Sequence, residues 1–233
     1  MSPSIPWLRH LAEGRVFVSR TGGHGNAVLV LLCTRLPPAA LRQEIARGAP
    51  APATVFVDVG DGAAHVHNRL LERPFAGHPL LGAAAVLHEQ GYAFDRLTVA
   101  AGTVTLWSED ARMWLRAPAI WCPATRHRRL DSPRHVEALP GPPADEPVQV
   151  WAWLDRQAGT VRARQFAPSE GKPEDEACGS ASMLLAHTLG RPLTVIHGKG
   201  SIIHVRPEGP MVALGGRCLA DAVRADDALG RLP

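Results

Sequence analysis

At 233 residues the chain is long enough for one large domain or two small ones, with a buried core in either case. Its 45% apolar and 20% charged residues are ordinary for a soluble globular protein, and a net charge of +3 is too small to argue for nucleic acid. No apolar run reaches about 18 residues and no charged-then-apolar leader precedes a cleavage site, so no membrane span is expected and the cytoplasm is the expected location.

Residues 14–32 read as a strand, a Gly-rich turn (Thr21 to Asn26) and a second apolar strand, Ala27 to Leu32. Leu36 to Arg47 opens with prolines and has helical spacing of its apolar residues. Thr54 to Val59 is a strand, Gly60-Asp61-Gly62 a turn and Ala64 to Leu71 the return strand. After Phe75-Ala76-Gly77-His78-Pro79 comes a strongly apolar helix, expected from about Leu80 to Glu89 and stopped by Gly91. Leu97 to Leu106 and Arg112 to Arg116 read as further strands.

From Pro118 to Pro147 the character changes: seven prolines, a basic cluster of Arg126, His127, Arg128, Arg129, Arg134 and His135, and little periodicity. This stretch reads as an exposed, loosely ordered connection whose arginines are a solvated face. The second half then repeats the first. Val148 to Leu154, a turn and Thr160 to Phe166 form a hairpin, and Cys178-Gly179-Ser180 opens an apolar helix from about Ala181 to Leu189. Strands follow at Leu193 to His197, Ile202 to Val205 and Met211 to Leu214. Both helices are apolar nearly all round, as buried helices are. The expected organisation is therefore α+β, with two pseudo-repeated domains at 1–117 and 148–233, a linker at 118–147, and strands wrapped about one central helix in each half.

Two segments carry the chemistry. Arg73 to Gly82 and Glu174 to Ser182 each place a titratable side chain on a small-residue turn that leads into a buried helix. The first turn of a helix leaves its N–H groups unpaired and accepts a carboxylate or phosphate readily. Gly77 at the first start, and Gly179, Ser180 and Ala181 at the second, leave those groups reachable. His78 carries a proton near neutrality, Cys178 sits where a helix dipole favours a thiolate, and Asp175 lies just before that helix. Taken singly, each has a bland reading as a cap, a small buried apolar group or a turn residue. Together, in mirrored contexts, they imply two half-sites facing one cleft. The four cysteines show no CxxC spacing, which argues against a disulfide framework or a zinc knuckle. His65 and His67 share one strand face without an obvious third metal ligand. His197 and His204 flank the Gly198-Lys199-Gly200 turn, an anion-friendly loop that could border the pocket.

At these residues the sequence resembles the phenazine-biosynthesis PhzF-like family, which shares the diaminopimelate-epimerase fold. The resemblance rests on Ala76-Gly77-His78-Pro79 with Leu81 to Ala84, on Arg162 to Pro168 followed by Glu174-Asp175, Ala177 and Gly179 to Ala181, and on Gly25-Asn26-Ala27-Val28. It implies cofactor-independent proton transfer on a small carboxylated metabolite, with His78, Asp175 and Ser180 around the substrate, Asn26 among its contacts, and a homodimer as the family often forms. Two departures stand out. The family's mobile Glu base aligns with Ala53, whose methyl group cannot take a proton, and its usual Thr aligns with Cys178. The cysteine segment instead resembles the second catalytic cysteine of diaminopimelate epimerases and proline racemases, whose first cysteine aligns with Ala76. Two expectations follow: an isomerase using His78, Asp175 and Cys178, or a degenerate member that only binds a small acid.

Overall fold

In the computed structural model, which describes residues 5–170 and 172–222, the chain forms two α+β units interleaved in sequence. Among the described residues the first unit comprises 5–16, 27–115 and 218–222, and the second 17–26 and 116–217. The division thus differs from the expected one at 117 and 147, because a segment from each end of the chain belongs with the opposite half.

The first unit begins with β1 (Leu8–Val16) and β2 (Asn26–Cys33), followed by α1 (Ala39–Gly48), β3 (Ala53–Asp58), β4 (Ala64–Asn68) and β5 (Glu72–Arg73). Its main sheet runs β16-β1-β2-β3-β4-β5, where β16 is Cys218–Ala222. Strands β2 and β3 are parallel, with Leu29 opposite Thr54, so α1 is the crossover between them. Pro38 caps α1, its ring fixing φ at −53° just outside the first turn. Leu29, Leu31, Ile45 and Phe56 lock the crossover onto the sheet. A turn in which Asp58 Oδ1 accepts from Gly60 N at 2.8 Å and Asp61 Oδ1 from Ala63 N at 2.9 Å returns the chain into β4.

Helix α2 (Gly77–Glu89) is buried continuously from Pro79 to Leu87 and packs on β1, β3 and β16. It starts three residues before the expected Leu80, which brings His78 and Pro79 into its first turn. Gly82 allows close approach: a Cβ there would stand 2.4 Å from Val28 Cγ1 and 3.3 Å from Val16 Cγ2. Strands β6 (Arg96–Val99), β7 (Gly102–Glu109) and β8 (Arg112–Pro118) follow as a meander. The single strand expected at Leu97 to Leu106 is a hairpin, reversed at Gly102 with φ +139°.

The second unit contains β9 (Arg126–Arg129), α3 (Pro133–Glu137), β10 (Val148–Asp155), β11 (Thr160–Ala167), β12 (Lys172–Asp175), α4 (Gly179–Leu189), β13 (Leu193–His197), β14 (Ser201–Glu208) and β15 (Met211–Gly216). Its strands run in the order β15-β14-β13-β11-β10-β9, with β12 paired to β11. Strands β9 and β10 are parallel, Arg126 opposite Val148, and α3 is their crossover. The stretch 118–147 is therefore ordered structure: it supplies to this unit the strand–helix pair that β2 and α1 supply to the first. Val136 of α3 packs with Val148, Val150, Ala152 and Phe166 into a small core.

Candidate active site

Within the first unit the candidate group is His78, in the second position of α2. The residue before that helix, Ala76, is extended (φ −153°, ψ 122°) and offers no side-chain cap, so the opening amides belong to Gly77 and His78. Pro79 in the third position has no N–H to satisfy, which is why proline is tolerated there. His78 is half-buried and Gly77 buried. Ala53, where the family pattern has its acidic base, is 6% exposed and pairs with Asn68 across β3 and β4.

His65 and His67 do share a face of β4, and the structure fills that face with hydrogen bonds. His65 Nδ1 lies 2.5 Å from Glu72 Oε1, while Arg42 reaches His65 Nδ1 at 3.2 Å and donates to His67 Nε2 at 3.4 Å. Gln43 Oε1 accepts from His67 Nδ1 at 2.9 Å, so His67 is neutral with its proton on Nδ1. Burial is the main cause that pushes His67 down to about 4, Glu72 opposing and Arg42 and His65 assisting.

Within the second unit the motif residues converge. Helix α4 begins at Gly179 with Cys178 as its N-cap (φ −85°, ψ 97°), and no side chain caps the first turn. The Cys178 carbonyl accepts from Ser182 N at 3.2 Å and Ser182 Oγ at 2.9 Å, which fixes the cap residue. Cys178 Sγ lies 3.5 Å from Ser180 Oγ, and both residues are half-buried. Asp175 Oδ1 accepts from Ala177 N at 3.1 Å and from Asn26 Nδ2 at 2.8 Å. The same Asn26 nitrogen donates to Ala177 O at 3.0 Å. Asn26 thus directs its side-chain nitrogen to the loop that carries Asp175. The Gly-Asn and Glu-Asp motifs form one hydrogen-bonded cluster within this unit.

Gly179 and Ala181 are buried, and each has a structural duty at the helix start. A Cβ on Gly179 would approach Leu214 Cδ2 at 3.0 Å and Phe17 Cζ at 3.3 Å. Phe17 is fully buried in a left-handed conformation (φ +67°), and Gly216 also yields space to its ring. The Ala181 carbonyl accepts from His127 Nε2 at 2.9 Å, and burial pushes the pKa of that imidazole below its ordinary value.

Sequence reasoning missed three groups here, Glu176, Ser201 and Cys122, and took in a fourth, His197, only as a flank of the 198–200 turn. Glu176, His197 and Ser201 support the 175–178 loop, and the buried Cys122 thiol donates to Met183 Sδ at 3.8 Å. Burial, with the Cys178 charge adding, pushes Cys122 up to about 12, so it stays a thiol. The Gly198-Lys199-Gly200 turn does receive an anion, and the anion is the protein's own: Glu176 accepts from Lys199 N at 2.8 and 3.0 Å. The one signal in the sequence was the glycine pair at 198 and 200, with φ of +53° and +140°.

No protein-family profile matches the sequence. Among solved structures the chain is similar to a putative phenazine-biosynthesis PhzC/PhzF protein from Clostridium difficile, with a TM-score of 0.73 and 18% identity over 92% of this chain and 99% of that one. A predicted epimerase from Pseudomonas aeruginosa superposes with a TM-score of 0.68 at 20% identity, over 92% and 99% of the two chains. A hydroxyproline epimerase from Agrobacterium vitis, solved with bound trans-4-hydroxy-L-proline, gives 0.59 at 16% identity over 97% and 96%. The chain therefore has the two-domain, diaminopimelate-epimerase-like α+β fold of these proteins.

Proposed function

We propose that the protein is a cofactor-independent isomerase or epimerase of the PhzF-like kind, moving a proton on a small carboxylate-bearing metabolite. The observation that carries this reading is the start of α4. Cys178 stands before an uncapped helix turn beside the Ser180 hydroxyl, three residues after an Asp175 carboxylate held by two donors. In this reading the Gly179 and Ser180 amides receive the substrate's negative charge and stabilise the enolate-like charge that develops in the transition state. Cys178 withdraws the proton alpha to the carboxylate, Asp175 orients or relays it, and His78 is the second acid/base group. The resemblance of fold to two epimerases supports the reaction class.

The test is exchange of solvent deuterium into a panel of small carboxylates, cyclic imino acids included. A single general acid/base group contributes about 10²–10⁴-fold, so Cys178→Ala and His78→Ala should each reduce exchange by about 100-fold or more. Wild-type exchange that survives both substitutions unchanged overturns the mechanism.

Ala53 supports a second reading, in which the protein binds a small acid without turning it over. The position is a buried methyl in a paired strand, with no proton-accepting group to replace the family's Glu. If the wild type shows no exchange and Ala53→Glu creates it, the binding reading is favoured; a wild type that already exchanges, with little change or a loss in Ala53→Glu, favours the enzyme.

A further inference from the structure

We propose that Glu176 is a positioning residue of the candidate site, its carboxylate keyed into the 198–201 turn so that its neighbours Asp175 and Cys178 are presented in one fixed geometry. This deepens the preceding proposal and rests on it for the meaning of the site, though not for its test.

Three attachments hold Glu176. The His197 ring donates through Nδ1 to the Glu176 carbonyl at 2.9 Å, from a side chain with 0% exposure. Lys199 N donates to both carboxylate oxygens, and Ser201 Oγ donates to Oε1 at 2.8 Å. Ser201 Oγ in turn accepts from Gly25 N at 2.9 Å, next to the Asn26 that holds Asp175. The residue is thereby fixed at backbone and side chain alike. Charge-assisted bonds of this kind are roughly twice as strong as neutral ones.

The receptor turn is shaped for this one guest. A Cβ on Gly198 would lie 2.3 Å from Glu176 O and 2.4 Å from Oε2, and the φ of +53° disfavours a side chain as well. Gly200 makes similar room for His24, where a Cβ would approach the ring at 3.0 Å. His24 Nδ1 lies 3.9 Å from Glu176 Oε1 at the exposed side. A turn rebuilt around one carboxylate has no vacancy for a substrate anion. Its effect on the reaction passes through the loop: Asp175 and Glu176 are adjacent, so locking Glu176 fixes the direction in which Asp175 leaves the strand. Two residues later the same locked segment delivers Cys178 to the head of α4.

The experiment reads the loop without needing a substrate. Peptide-resolved alkylation by iodoacetamide follows Cys178, with the half-buried Cys218 as internal reference. Glu176→Gln keeps the shape but turns one acceptor into a donor facing Lys199 N–H, and Ser201→Ala removes the link to Gly25. Each should speed alkylation of Cys178 by about threefold or more at unchanged Cys218 rate and unchanged far-ultraviolet circular dichroism, as local opening does. The double variant should show less than the product of the two effects, because both cut one network. Unchanged Cys178 rates in both variants overturn the proposal. So does a uniform rise at Cys178 and Cys218, which marks a general loss of stability. If Glu176→Gln fails to fold, Ser201→Ala decides alone. A wild type that exchanges no deuterium sinks the enzyme reading and leaves this result standing.

Discussion

Asp175 shows how much of a site's chemistry is set by the residue that holds it. Its Oδ1 takes one hydrogen bond from its own loop and one from Asn26, a residue 149 positions away. Removing a donor from a partly buried carboxylate costs about 1–3 kcal/mol, because the charge left behind has lost its water and gained nothing. Asn26→Ala should therefore lower the unfolding free energy by about 1–2 kcal/mol in denaturant titration and depress any proton-exchange activity. Asn26→Asp should be worse at pH 8 than at pH 5, since two carboxylates 2.8 Å apart cannot both stay ionised. Equal stability of the two variants at both pH values would refute this account of Asn26. Asp175, Cys178 and Ser180 were legible because they fall within one short run beside an apolar helix. Glu176 was not, because its partners lie 23 and 25 residues on and nothing local marks a glutamate as bound.

Helices and strands that bury much apolar surface were legible, and the small crossover was not. Helix α2 declares itself through an unbroken apolar run, and only its start was misplaced, since Gly77-His78-Pro79 reads as a turn until the chain is seen to be helical there. Its interior glycine is a packing device. Gly82→Ala should destabilise the first unit by about 1–3 kcal/mol, because Val28 Cγ1 stands 2.4 Å from the new methyl on a packed face, a loss readable as a lower thermal midpoint. The pair β9 and α3 carries weak local signals: Arg-His-Arg-Arg is a poor strand, and a helix of five residues is marginal even with Ser132 as its cap and Pro133 in its first position. Its order comes from outside. Arg164 on β11 donates to the carbonyls of Val136 at 3.2 Å, Glu137 at 3.4 Å and Leu139 at 2.8 Å, stacks over Phe166, and binds Glu174 at 2.7 and 2.8 Å. Arg162, two residues earlier on β11, holds Glu137. The repeated arginine of the 162–168 motif thus secures the end of α3. Arg164→Ala should open the 130–147 segment to limited proteolysis while the core of the second unit stays resistant; an unchanged cleavage pattern would show that the apolar contacts of Val136 and Leu139 suffice alone.

Across the whole molecule, buried imidazoles make the fold sensitive to acid in a defined window. Burial is the largest cause that depresses His67, His197, His127 and His10, and the first two are in effect excluded from solvent. His67 is faced by Arg42 and Gln43 from α1, His65 on its own strand, Glu72 on β5 and the edge of Phe56. A proton on its Nε2 would meet the Arg42 guanidinium, and the bond from Arg42 Nε would be lost. A histidine lowered in the folded state contributes stability fully above its unfolded value of 6.5, and that contribution falls as the pH drops toward the folded value of about 4. Over that interval the unfolded chain binds the extra proton, and for His67 alone the loss is about 3 kcal/mol by pH 4. His197 adds to it in the same direction. A second stage belongs to Glu137 and Glu174, lowered by hydrogen bonds from Arg162 and Arg164; their contribution is intact above 4.5 and lost as the pH falls through their lower folded values. Urea unfolding measured from pH 8 to pH 4 should be level above about pH 7 and then decline steadily. His67→Gln, which carries no titrating ring, should start less stable at pH 8 and show a shallower decline between pH 6.5 and 4. A wild-type curve that stays flat from pH 7 to pH 5 would mean that these imidazoles are solvated or charged in the folded protein, contrary to their burial.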